Sequence, residues 1–183
     1  MDELLTLVQP EPWGRFTAGL IALMAVARGL DFLSTWLITP KLQLEANPLM
    51  RRAGFARMAL LNLPLLGLPL LHHGLSITFI VTSLLAAGGN LVSGALARGM
   101  GEKRQAESQA RAIREMGVPA ALAMNCAGGV VTCAGGAFLM ALSGGMQSHS
   151  WWGGLGVVMF GVVGLVHFNL AVMRLGRKAR RKD

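Results

Sequence analysis

The sequence predicts an all-α fold, a polytopic transmembrane helical bundle of about five spans, and three observations carry that reading. Hydrophobic residues make up 53% of the 183-residue chain and charged residues only 14%, where an ordinary soluble domain has about 25% charged. Mean hydropathy is +0.52, and the apolar residues gather in charge-poor runs near the length that crosses a bilayer. Lysine and arginine cluster in every second loop between those runs. No stretch has the composition of a second, soluble domain, so residues 1–183 read as a single transmembrane domain.

The first span covers 16–39 and stops at Pro40, which has no backbone N–H to continue a helix. The second centres on 55–71 and is interrupted by Arg57, Pro64 and Pro69. Asn47 suits an N-cap and Pro48 the first helical position, which would let Arg51, Arg52 and Arg57 reach back to the interface. Pro64 and Pro69 should each kink this span. The third covers 75–97, the fourth 118–143 and the fifth 151–173, followed by a basic tail at 174–183. Between the third and fourth, 99–117 reads as a surface helix of mixed charge, with Glu102, Lys103, Arg104, Glu107, Arg111, Arg114 and Glu115. Leu4–Val8 reads as a short interfacial turn, and Asp2, Glu3 and Glu11 argue against a cleavable signal peptide.

Orientation follows from the basic residues. All 17 Lys and Arg except Arg15 and Arg28 lie in the first loop, the third loop or the tail. The alternate loops, around His72–Gly74 and Gly144–Ser150, have none. The positive-inside rule therefore expects the N-terminus outside and the C-terminus inside, with five crossings rather than four. Trp13, Trp151 and Trp152 then fall at outer interfaces and Trp36 near an inner one, the depth indole prefers. The setting expected is a bacterial cytoplasmic (inner) membrane. The +8 charge belongs to this pattern and not to nucleic-acid binding.

Small residues mark packing faces. The fourth span has Ala121, Asn125, Gly129, Cys133, Ala137 and Ala141 at spacing four, a ridge that lets backbones approach. The fifth has Gly153, Gly156, Gly164 and Ala171, with His167 on the same side, and the third has Ala86, Asn90 and Gly94. Cys126 and Cys133 lie seven residues apart on one helix, roughly 10 Å and too far for a disulfide, so they read as packing residues.

The polar residues inside the spans are costly in hydrocarbon and need partners or a purpose. They are Arg28 and Asp31 on the first, Asn62 on the second, Asn90 on the third, Asn125 on the fourth, and His167 and Asn169 on the fifth. Counted at 1.5 Å per residue, Asp31, Asn90, Asn125 and His167 all fall roughly 9 to 12 Å from the inner end of their helices. Arg28 and Asp31 can pair at spacing three. Thr35 lies one turn beyond, and Glu45 and Asn47 in the adjoining loop. Asp31, Glu45 and His167 could line one cavity, as ligands for a divalent metal or as a proton relay. The plainer account makes Arg28–Asp31 a neutralised pair and the Asn residues interhelical ties. His72, His73 and His149 read as solvated interfacial residues. No paired-His metalloprotease helix, phosphate loop or nucleophile elbow occurs.

The stretch Asp31-Phe-Leu-Ser-Thr35, followed by Glu45-Ala-Asn47-Pro48-Leu49 and Arg51, resembles a group of small uncharacterised polytopic membrane proteins, the DUF5658 type. The resemblance covers roughly residues 28–60. It implies that Asp31, Thr35, Glu45, Asn47 and Pro48 form that group's central feature, and it implies no activity.

Two functions are compatible with this pattern. One is a non-enzymatic accessory or scaffold subunit, partnered by lipid and by other membrane subunits or a second copy, with no cofactor. The other is a membrane-embedded enzyme or ion-coupled carrier using Asp31, Glu45 and His167. The missing internal repeat counts against a carrier, and the balance leans away from an enzyme. The topology is directly testable. In intact cells a membrane-impermeant maleimide should label a cysteine introduced at Ser148 and leave one in the 174–183 tail unmodified; the opposite pattern inverts the orientation.

Overall fold

The computed structural model describes residues 14–40, 48–97 and 99–180. Trp13, the Leu4–Val8 turn, Glu45 and Asn47 lie outside the described residues. Among those described, every regular element is helical and five helices are long and apolar enough to cross a membrane. Helix α1 is Arg15–Ile38, α2 is Pro48–Asn62, a 3-10 turn covers Leu63–Gly67, and α3 is Leu68–Leu71. Helix α4 is His73–Ala97, α5 is Glu102–Met116, α6 is Val118–Leu142 and α7 is His149–Arg180.

Local sequence accounts for the breaks. Helix α1 ends two residues before Pro40, the N–H of its cap Thr39 closing onto the Thr35 carbonyl at 2.9 Å. Pro48 opens α2 as expected, but α2 is not continuous. Gly54 has φ 77° and ψ 170° inside it, a conformation that costs a residue with a Cβ far more than glycine. The chain is thus re-aimed between the arginines at 51–52 and the apolar part that begins at Phe55. Pro64 then enters a 3-10 turn and Pro69 the short α3, so the second span is assembled from pieces. Its prolines interrupt the helical hydrogen-bond ladder where the pieces meet. Gly117, at φ 85°, separates α5 from α6 and sits between them as a corner. Helix α7 continues past the predicted end of the fifth span to Arg180, so much of the basic tail extends the same helix.

The main contacts run from α1 to α4, from α4 to α7 and from α7 to α6, with the second span against α1 and α4. Helices α1 and α4 are parallel. Thr17 pairs with His73, Arg28 with Ser83, and Ser34 with Asn90, at separations of 56, 55 and 56 residues. Along this seam Thr17, Leu20, Met24, Ala27 and Ser34 of α1 are buried, as are Ser76, Ile80, Ser83 and Ala87 of α4. Both sets follow the alternating three–four spacing that keeps one face of a helix turned to a partner. Leu66 and Leu68 of the second span pack onto the same core. At the end of the seam Gly94 lies against Ile38, where a Cβ would come within 2.5 Å of Cγ1.

Helix α4 turns a different face to α7. The Thr78 hydroxyl donates to the Trp152 carbonyl at 2.9 Å, and that of Thr82 to the Gly156 carbonyl at 3.0 Å. Helix α6 packs antiparallel on α7 through Gly129 against Leu165, Cys133 against Gly161, and Gly136 against Gly154 and Val158. The spacing-four ridge of α6 is followed only as far as Cys133. Each step of four advances about 40° past a full turn. The contact therefore passes to Gly136 and Met140, and Ala137 and Ala141 turn to the outer surface. Helix α7 also differs from expectation because it serves two neighbours. Gly156 meets α4, while Gly154 and Gly161 meet α6. A Cβ at Gly164 would meet only its own helix's Phe168, and one at Gly153 nothing within 4 Å.

These contacts separate neighbouring glycines. At Gly136 a Cβ would sit 2.7 Å from the Gly154 carbonyl oxygen, a backbone atom that cannot step aside, whereas at Gly135 it meets open space. Gly136→Ala should lower stability by about 1–3 kcal/mol through overpacking, and Gly135→Ala should not. Thermal unfolding in detergent followed by size-exclusion chromatography distinguishes the two; equal losses would contradict the α6–α7 contact described.

Candidate functional site

The polar centre of the bundle is built around Arg28. Its Nη1 donates to Asp31 Oδ2 at 3.0 Å and to Ser83 Oγ at 2.9 Å, and its Nη2 donates to Asn62 Oδ1. The guanidinium carbon also stands 5.6 Å from the centroid of the Phe32 ring. One cation thereby joins α1, α2 and α4. Arg28 and Asp31 side chains each retain 21% exposure, so the pair is lodged at the edge of the packed interior. The Asn62 amide completes its own bonding by donating to the Met58 carbonyl at 2.7 Å. The Nε of Arg28 is buried and hydrogen-bonds to nothing among the described residues.

A second set of bonds lies one to two turns further along the seam. Asn90 Nδ2 donates to Thr35 Oγ1 at 2.9 Å and Ser34 Oγ at 3.2 Å. Both hydroxyls in turn donate to the Asp31 carbonyl at 2.9 Å. Hydroxyls bonded back to their own helix lose little solvation in lipid and still accept a bond from a neighbour. Asn90 is thus held by two acceptors across the α1–α4 seam.

The remaining predicted polar residues are elsewhere. Asn169 of α7 donates to Cys126 Sγ of α6 at 3.5 Å, and its buried Oδ1 has no partner among the described residues. Asn125 is half-buried on α6 beside this pair. His167 is half-buried on α7 and hydrogen-bonds to no described residue. The expected single polar layer is therefore two groups, one on each side of α4. The reason is rotational: α4 uses Ser83 and Asn90 toward α1 and Thr78 and Thr82 toward α7, faces roughly 110° apart around the helix. Residue counts give a position along a helix axis but not the azimuth of the side chain. Among the described residues no three His, Cys, Asp or Glu side chains converge as metal ligands, and Glu45 lies outside them.

Ser34 and Ser83 belong to the centre and were not predicted. A signal existed, since Ser76, Ser83 and Asn90 recur every seven residues on α4. At the other end of the bundle, the Phe16 ring meets His73 edge-on at 5.0 Å and stacks with His149 at 5.2 Å. His72 lies 4.9 Å from Trp152, which stands edge-to-face with Trp151. The three histidines read as simply solvated are thus packed among aromatic rings, as amphipathic side chains at an interface can be.

No family model matches the chain, and neither the curated proteins nor the solved structures contain a match.

The Arg28 geometry predicts coupling. Removing one member of a poorly solvated ion pair leaves the other uncompensated, so Arg28→Gln or Asp31→Asn alone should cost about 3 kcal/mol, and the double change less than the sum. Asn90→Ala should cost only about 0.6 kcal/mol, the usual value for a hydrogen bond between membrane helices. A double-mutant cycle on detergent unfolding reads both; strict additivity of the Arg28 and Asp31 changes would rule out the pair.

Proposed function

We propose that this multi-pass membrane protein is a non-enzymatic accessory or scaffold subunit of a membrane assembly. In this reading it sits in a bacterial cytoplasmic membrane, N-terminus outside and C-terminus inside. The carrying observation is the use made of Arg28. Its bonds go to Asp31, Ser83 and Asn62 on three helices, which suits a residue that fixes helix register better than one held ready for a substrate. The alternation of basic and uncharged loops supports the orientation.

Helix α6 supports the subunit reading. One side packs on α7, while Ala127, Gly128, Val131, Ala134, Gly135 and Phe138 are exposed on the other. In that set each residue type is small or apolar, Ala and Gly recur together after seven residues, and added side chains at Gly128 or Gly135 would meet nothing. Such a surface lets a further transmembrane helix approach at backbone distance, which is how helices associate in lipid.

The test is affinity purification of the tagged full chain from mild detergent. A stoichiometric membrane partner or a second copy is expected, and Gly128→Leu with Gly135→Leu should release it without lowering the unfolding temperature. A chain that purifies alone with a divalent metal, lost on Asp31→Ala, would instead establish the enzyme or carrier alternative built on Asp31, Glu45 and His167.

A further inference from the structure

Helix α5 is neither a span nor a free loop. At its first turn Glu102 accepts a hydrogen bond from the Thr39 hydroxyl at the end of α1. Toward its last turn Ile113 is buried with Ala121 of α6 and Val172 of α7. The two anchors are roughly 16 Å apart along the helix, so α5 is pinned across the end of the bundle. Helix α4 ends at Ala97 just before it and α6 begins at Val118 just after it. Its position is therefore at the rim of the apolar spans, where phospholipid headgroups lie.

The inner side of α5 carries Ala106 and Ala110 besides Ile113, all partly or fully buried. Lys103, Arg104, Arg111 and Arg114 are exposed, and none is in an ion pair among the described residues. The exposed carboxylates Glu107 and Glu115 offset only part of that charge. Helix α7 runs on beside this rim to Arg180. A buried inner side, a cationic outer side and a place at the ends of the apolar spans together match a surface of phosphate esters.

We propose that α5 is a docking surface for anionic phospholipid headgroups, which bind the exposed Lys103, Arg104, Arg111 and Arg114. The surface holds the lipid as a charged layer and engages its phosphates without covalent chemistry. The proposal does not depend on the accessory-subunit reading.

The experiment places the full chain in phosphatidylcholine vesicles containing about a third phosphatidylglycerol and measures the association of spin-labelled phosphatidylglycerol relative to spin-labelled phosphatidylcholine. A preference of roughly fivefold or more is expected from clustered basic residues near a surface. It should fall toward parity in K103Q/R104Q/R111Q/R114Q, and in about 1 M salt, where the screening length is roughly 3 Å. Glu107→Gln with Glu115→Gln should raise it. An unchanged preference in the folded quadruple variant, or none in the natural chain at low salt, overturns the proposal. Loss of the preference on adding inorganic phosphate, but not a neutral salt of equal ionic strength, would mean a free-phosphate site and also overturn it. If the quadruple variant does not fold, the salt series and the glutamate variant decide, and no response in either overturns the proposal.

Discussion

Two membrane helices that run in the same direction can satisfy polar groups on both only if they meet at one register. Helices α1 and α4 do so at an offset of 56 residues, repeated from Thr17–His73 to Ser34–Asn90. Buried Leu20, Met24 and Ala27 of α1 correspond at that offset to buried Ser76, Ile80 and Ser83 of α4, so the three–four spacing on one helix falls in phase with that on the other. A shift of one residue would rotate each side chain by about 100° and take Asn90 away from Ser34 and Thr35. In lipid an unpaired amide has no water to turn to, so the polar pairs penalise every other register more than apolar contacts do. The second span depends on this seam, since Arg28 must be correctly placed to reach Asn62.

Arg28 sits where two opposing effects nearly balance. Taking a guanidinium out of water is expensive, and a single carboxylate at 3.0 Å returns only part of that cost. The neutral acceptors Ser83 and Asn62 share the charge further, and partial exposure of the pair lowers the penalty. The outcome favours geometry over net stability. The second span, broken at Gly54 and passing through a 3-10 turn, has few close contacts of its own, so a charged tie to α1 contributes more there than between well-packed helices.

Helix α4 has a different relation to each neighbour. Toward α1 it offers serines, an asparagine and small apolar residues; toward α7 it offers threonine hydroxyls that donate to backbone carbonyls. The α6–α7 contact uses glycine and cysteine on facing ridges, allowing the backbones to touch. Polar pairing thus governs one half of the bundle and close packing the other.

Much of this architecture was legible in the residues. Charge-poor runs near bilayer length marked all five spans, and Pro40, Pro48, Pro64 and Pro69 marked where helices stop, start and bend. The Arg28–Asp31 pair was legible because spacing three brings two side chains together on any helix. The amphipathic α5 was visible in its charges. These features are local, or depend only on what lipid will not solvate, and so the sequence by itself determined them. The break at Gly54 was not legible, since glycine is compatible with a helix as well as with positive φ. Nor was the division of the polar residues into an Arg28 group and an Asn169 group. Residue counting fixes where along its helix a side chain lies, but the direction it points is set by the rotation of each helix against neighbours tens of residues away. That rotation is a property of the assembled seams, and only the tertiary structure decided that Arg28 meets Ser83 and Asn62 while His167 stands across α4.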